Sequence, residues 1–212
     1  MKFQTSNTKI KGDQESESLG LWGGGISGLG VTSAAMEKAR GMIIRLTKLT
    51  ETSLIVHWCT QDHGLVKTVA KGARKAKSPF YGKLDLFFEA ELVWVRSRKS
   101  ELHTLREVAV INYREPLRKK YVDTVVAAYF GELLADLVEL EHPVPELYDL
   151  LQRGLTYVAE EGADMRAVLH YEHEMARLLG VAHQRTSAAS AIEQAFGRLP
   201  RGRSACLVAL GA

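Results

Sequence analysis

The hydrophobic period of this chain changes once, at Pro116, and that change limits what the chain can fold into. Between Lys38 and Tyr113 apolar residues alternate, or gather in short β-branched and aromatic runs; beyond Pro116 they recur at i, i+3, i+4 and i+7. Five strands are predicted on the first side: GMIIRLTKL (41–49), SLIVHWCT (53–60), LVKTVAKGA (65–73), LDLFFEAELVWVRS (84–97, long enough to carry a bulge) and LHTLREVAVINY (102–113). The turn signal QDHG separates the second from the third, and KSEL offers a hairpin between the last two. Five short strands, with an irregular insertion between the third and fourth, match an OB-fold, which often carries a helix there; a five-stranded SH3-like barrel fits the count nearly as well.

Four helices are predicted beyond Pro116. The first covers 116–140, with Val122, Val125, Val126, Tyr129, Phe130, Leu133, Leu134 and Leu137 as its apolar stripe. The second runs from about Glu146 to Ala159, and the third over 164–180, closed by Gly180. The fourth is opened by Thr186 or Ser187 and closed by Gly197. The expected class is α+β: an N-terminal five-stranded OB-fold β-barrel over 37–115, then a small all-α helical bundle over 116–212. Residues 1–36 are Gly- and Ser-rich and without sustained period, which predicts a poorly ordered extension; the ordered pattern begins at Met36, a second candidate start.

Charge follows the same division. Residues 37–120 carry 18 basic and 9 acidic residues, whereas 121–180 carry 3 basic and 12 acidic. The densest stretch is VKTVAKGARKAKSPFYGK (66–83), with six Lys/Arg and no acidic residue. Clustered cations of this kind neutralise phosphates and release counterions, and neighbouring aromatics can stack on bases. The candidate nucleic-acid-binding residues are Lys67, Lys71, Arg74, Lys75, Lys77 and Lys83, with Arg96, Arg98 and Lys99 at a strand end and Arg118, Lys119 and Lys120 as a third cluster. Phe80, Tyr81, Trp58 and Trp94 are candidate stacking residues. The plainer alternative is a solvated charged face, with Phe80 and Tyr81 packing the insertion onto the barrel.

Other motifs carry less. Gly23, Gly25 and Gly28 spell G-x-G-x-x-G, but no strand precedes them and no helix opens after them, so no dinucleotide site is read there. Gly82-Lys83 is followed by Leu84 where a P-loop needs Ser or Thr. His170 and His173, one turn apart with Glu174 four residues after His170, are a possible metal edge with no further ligand of obvious spacing, and a solvated helix face explains them better. His57 and Cys59 share a strand face, but a nucleophile pair needs an orienting third group that the sequence does not supply. No catalytic set is found, so no enzyme activity, metal or cofactor is expected. Apolar runs fall far short of the roughly 20 residues of a membrane span, and residues 1–18 do not read as a signal peptide. Two cysteines, Cys59 and Cys206, suit a reducing cytoplasm.

The stretch ETSLIVHWCTQDHGLVKTVAKGARKAKS (51–78) resembles the N-terminal barrel signature of the bacterial RecO family of recombination mediators, in Glu51-Thr52-Ser53, Asp62-His63-Gly64 and the run Val69 to Lys75. TVVAAYFGELLADLVELEHPVPELYDLL (124–151) resembles the same family's first two helices, and the likeness covers about residues 37–181. The resemblance implies an OB-fold with a helical domain, binding of single- and double-stranded DNA, annealing of complementary strands, and help in loading recombinase onto coated single strands. The partners it implies are single-stranded-DNA-binding protein, through its acidic C-terminal tail, and RecR; the location is the cytoplasm, on the nucleoid. It carries a DNA-binding role onto Lys71, Arg74 and Lys75. Many members have a four-cysteine zinc element in the helical domain; here EHEMARLLGV is followed by no cysteine before Cys206, so that site is absent. The alternative from another class is an interaction scaffold that does not itself touch DNA, assembling basic block against acidic block.

Overall fold

The computed structural model describes residues 35–212; the expectations for the Gly-rich segment, including Gly23, Gly25 and Gly28, lie outside the described residues. Five strands, β1 (Met36–Lys48), β2 (Leu54–Thr60), β3 (Gly64–Ala70), β4 (Glu89–Val95) and β5 (Leu102–Asn112), close into a barrel in the order β1-β2-β3-β5-β4. All pairs are antiparallel except β3 with β5. That order, with β4 returning to β1, is the OB-fold rather than the SH3-like alternative. A 3-10 turn (Glu115–Arg118) leads to α1 (Tyr121–Leu137), α2 (Pro145–Glu160), α3 (Met165–Leu178), α4 (Ala188–Phe196) and α5 (Gly202–Ala209).

Period-2 alternation sends one set of side chains inward. Ile43, Val56, Trp58, Val66, Leu92, Trp94 and Leu105 fill the barrel, and the Trp58 indole donates to Thr68 Oγ1 at 2.9 Å. The opposite faces of β1, β2 and β3 carry Ile44, Cys59 and Leu65, which join Phe130, Leu133, Leu151 and Tyr171 in a second core under the helices. Alternation sends Met42 and Ile44 to this core and Ile43 to the barrel, and a bulge between Ile43 and Arg45 then shifts the register of β1 on β2. At α1, a Cβ on Gly131 would stand 3.1 Å from the Ile44 carbonyl, so glycine allows the helix its close approach to β1.

The structure corrects three expectations. The fourth strand does not start at Leu84: Phe87 takes φ 67°, breaks the extended run, and packs under the helices while Phe88 packs into the barrel. The insertion over 71–88 holds turns and no helix. The first helix starts at Tyr121, because Pro116 opens a separate 3-10 turn. The fourth helix is capped as read, with Ser187 Oγ accepting from the Ser190 amide and Gly197 at φ 74°. A fifth helix, α5, was not anticipated; Arg203 reaches the buried Glu172 of α3 at 2.7 Å, and the Gly202 amide donates to Glu132 of α1 at 2.9 Å.

Barrel and helices are joined in two further places. Buried Glu89 accepts from Arg40 (2.6 Å), Arg114 (3.2 Å) and the Tyr148 hydroxyl (2.9 Å), tying β4 and β1 to α2. The α1–α2 linker lies along β3, where the Glu141 amide donates to the Leu65 carbonyl at 2.8 Å. Gly64 makes room for it: with φ 67°, a Cβ there would come within 2.2 Å of the His142 carbonyl.

Candidate nucleic-acid interface

Ligand-binding OB barrels use the β2–β3 face and the β1–β2 and β4–β5 loops. Lys67 lies on that face, on the same side of β3 as Val69, half-buried, across from His57 on β2 and beside Leu102 on β5. At the far end of β3 the turn 71–75 is clasped by the β1–β2 loop. There the Arg74 amide donates to the Thr52 carbonyl (3.0 Å), the Arg74 guanidinium to the Glu51 carbonyl (3.2 Å), and the Gly72 amide to Ser53 Oγ (3.3 Å). This fixes the backbone of the turn while the Lys71 and Lys75 side chains stay exposed. Lys71, Lys75 and Lys77 are exposed and join no ion pair among the described residues.

Arg96, Arg98 and Lys99 sit on the β4–β5 loop. The parallel register Lys67↔Leu102 and Val69↔Thr104 places that loop alongside the first half of β3, toward the opposite end from Lys71. From Lys67 to Lys71 the strand advances about 13 Å. One side of the barrel therefore brings together Lys67, the 71–77 turn and the 96–99 loop. Lys83 is not part of it; with Lys38 and Arg106 it lines a groove on the β1–β4–β5 side, where Glu91 and Glu107 offset much of the charge.

Arg96 is already engaged, ion-paired with Glu141 of the α1–α2 linker. The other oxygen of that carboxylate lies 2.5 Å from His103 Nε2, and His103 Nδ1 accepts from the Ser97 amide at 3.1 Å. The third basic cluster divides. Arg118 is a clamp, donating to the Tyr113 carbonyl (2.9 Å), the Leu86 carbonyl (2.6 Å) and Asp85 (3.1 Å) while lying over the Phe88 ring. Lys119 and Lys120 remain exposed.

Three proposed stacking residues are structural. Trp58, Trp94 and Phe80 are 0%, 2% and 6% exposed, inside the barrel core, so no base can reach their faces. Tyr81, at 75%, is available.

The sequence reading missed a cross-strand row. Arg45 of β1 pairs in register with His57, and His57 with Lys67, so three basic side chains stand side by side. Burial first, then Lys67 and Arg45, pushes the His57 imidazole down to about 4. Residue spacing gives no hint of this row, because only the strand register aligns the three positions. His57 and Cys59 form no reactive pair, as the missing third group led one to expect: burial holds the Cys59 thiol up at about 12.

On the helical side, α2 and α3 enclose a groove of about 550 Å³. Beneath it lies the stacked pair Phe130 and Tyr171 (centroids 3.9 Å apart), both buried and packed so closely against α2 that a Cβ on Gly154 would already touch Tyr171 at 3.0 Å. Arg153, Arg166 and His170 stand among its lining residues. His170 and His173 are exposed, and among the described residues no group of three metal-binding side chains forms around them. Cys59 and Cys206 are both free and buried.

Family comparison agrees with this architecture. A model described as Recombination protein O N terminal matches residues 35–114, and one described as Recombination protein O C terminal matches 118–197. The chain belongs to the RecO family. Similar relatives named DNA repair protein RecO occur in Syntrophus aciditrophicus (28% identical, over 72% of this chain and 59% of the relative) and Listeria monocytogenes (32%, over 69% and 56%). Another, in Rhodopirellula baltica, is 30% identical over 66% of this chain and 52% of the relative. The chain thus spans a little over half the length of the curated relatives it matches. No described helix is long and apolar enough to cross a membrane.

Proposed function

We propose that this chain is a non-catalytic DNA-repair mediator that binds single- and double-stranded DNA across its β2–β3 side. It then anneals complementary strands and helps load recombinase onto strands coated by single-stranded-DNA-binding protein. The observation that carries this reading is the array of exposed, uncompensated cations, Lys71, Lys75 and Lys77, held on a backbone fixed by the β1–β2 loop and flanked by Lys67 and the 96–99 loop. Fixed cations without internal counter-ions leave phosphates as their partners, and such contacts do not depend on base sequence, as annealing requires. The location is the cytoplasm, on the nucleoid, with RecR as a further protein partner. Mixing complementary dye-labelled strands with the protein tests the reading; faster duplex formation than in buffer supports it, and an unchanged rate at saturating protein contradicts it.

The acidic tail of the coating protein is assigned to the α2–α3 groove, where Arg153, Arg166 and His170 stand among the lining residues and the arginines can take its carboxylates. Arg153 and Arg166 make exposed ion pairs to Asp149 (2.8 Å) and Asp164 (3.1 Å), which an incoming carboxylate can displace. Arg153→Glu with Arg166→Glu is expected to weaken binding of an acidic peptide by at least about tenfold, each lost charge-assisted contact being worth 1.5–3 kcal/mol. Oligonucleotide affinity should stay unchanged; calorimetry with each ligand separates the two sites.

A further inference from the structure

We propose that His57 is a phosphate contact of the β2–β3 face and takes up a proton when a DNA strand binds. This rests on the interface reading above and adds to it a residue and a linked proton.

The geometry begins with strand register. Arg45, His57 and Lys67 occupy matched positions on three neighbouring strands, about 4.8 Å apart from strand to strand. On the same face, the next pair toward the β2–β3 turn, Cys59 with Leu65, lies buried under the helices. The next pair the other way is Ile55 with Val69, beyond which the chain reaches Lys71. The row therefore sits at the edge of the helical cover, half-exposed, in line with the basic turn.

The charges facing His57 are Lys67 from β3, Arg45 from β1 and Asp136 from α1. Asp136 is the one anion among them, and Arg45 already holds its carboxylate at 2.8 Å. A neutral imidazole between two cations avoids adding a third positive charge to a partly dehydrated surface. A bound phosphate reverses that balance, supplying the anion the row lacks. The imidazole then takes one proton from solution, donates it as a hydrogen bond to the phosphate oxygen, and releases it when the strand leaves.

The sign follows from linkage. The free-protein value is about 4 and the bound value is higher. Affinity therefore rises as pH falls through the bound value, and the gain is complete only below about 4. A permanently charged residue at this position would give no such slope.

The test is anisotropy of a dye-labelled oligo-dT without terminal phosphate, at fixed low salt, between about pH 8 and 5.5, for the wild-type chain and His57→Gln, which keeps a donor but cannot titrate. Wild-type affinity is expected to rise by at least about fivefold over that range, and that of His57→Gln by less than about twofold. Matching thermal melts establish that the variant is folded. Proton NMR of the His57 ring, with and without oligo-dT, reads the upward shift without any substitution. A wild-type slope that survives in His57→Gln, or a ring resonance unmoved by DNA, overturns the assignment while leaving the interface intact. Absence of wild-type binding at every pH overturns the interface itself.

Discussion

Replacing Glu89 by alanine is expected to cost about 3–5 kcal/mol of folding stability, the range for removing one partner of a buried ion pair. Glu89 and Arg114 are 2% and 6% exposed, and Arg114 is held at φ 46° with its Nε atom unpartnered. Burial pulls its guanidinium down from the usual value and Glu89 is the main influence pulling it back. Without the carboxylate, that charge stays buried with only the Thr156 hydroxyl (3.3 Å) and the Met42 sulfur (3.5 Å) for company. The Tyr148 hydroxyl also loses its acceptor, and with it the bond from α2 to the barrel. A loss of this size is a large share of the 5–15 kcal/mol that holds a typical domain. Urea denaturation followed by circular dichroism measures it; a change below about 1 kcal/mol would mean the network is not what joins the two parts.

The second large effect concerns binding rather than folding. Lys71→Glu, Arg74→Glu and Lys75→Glu together are expected to weaken oligo-dT binding by more than about 100-fold at low salt, since each phosphate contact contributes about 0.7 to the salt exponent on single strands. All three side chains are exposed, and the clasp on the turn is made largely by backbone groups of Gly72 and Arg74. Stability should therefore change by no more than about 0.5 kcal/mol. Unchanged affinity in a folded triple variant would place the DNA surface elsewhere on the chain.

Much of the barrel could be read from sequence because alternation survives wherever one strand face meets water or the helices, as in Val56, Trp58 and Thr60 of β2. It failed at Phe87 and Phe88, adjacent aromatics that look like strand interior but serve two different cores across a left-handed residue. α5 escaped notice because it spans eight residues without a side-chain cap and gains its place from Arg203 and the Gly202 amide meeting carboxylates on α3 and α1. The basic turn was visible as composition. Which cations work together was not, because Lys83 turns to a groove shared with Glu91 and Glu107, while Arg96 and Arg118 are engaged by Glu141 and Asp85, partners that come from distant sequence. The aromatics misled for a related reason: Trp58 and Trp94 stand in the residue pattern of a stacking platform but face inward.

On this reading the side of the barrel carrying Lys67 and Lys71 to Lys77 is a phosphate-binding surface. Anisotropy of labelled oligo-dT titrated with the wild-type chain at several salt concentrations tests it most directly. Tight binding at low salt is expected, with a log–log slope of about −2 or steeper, corresponding to three or more phosphate contacts. Absence of binding at low salt, or binding indifferent to salt, would contradict it and favour a scaffold that meets DNA only through its partners.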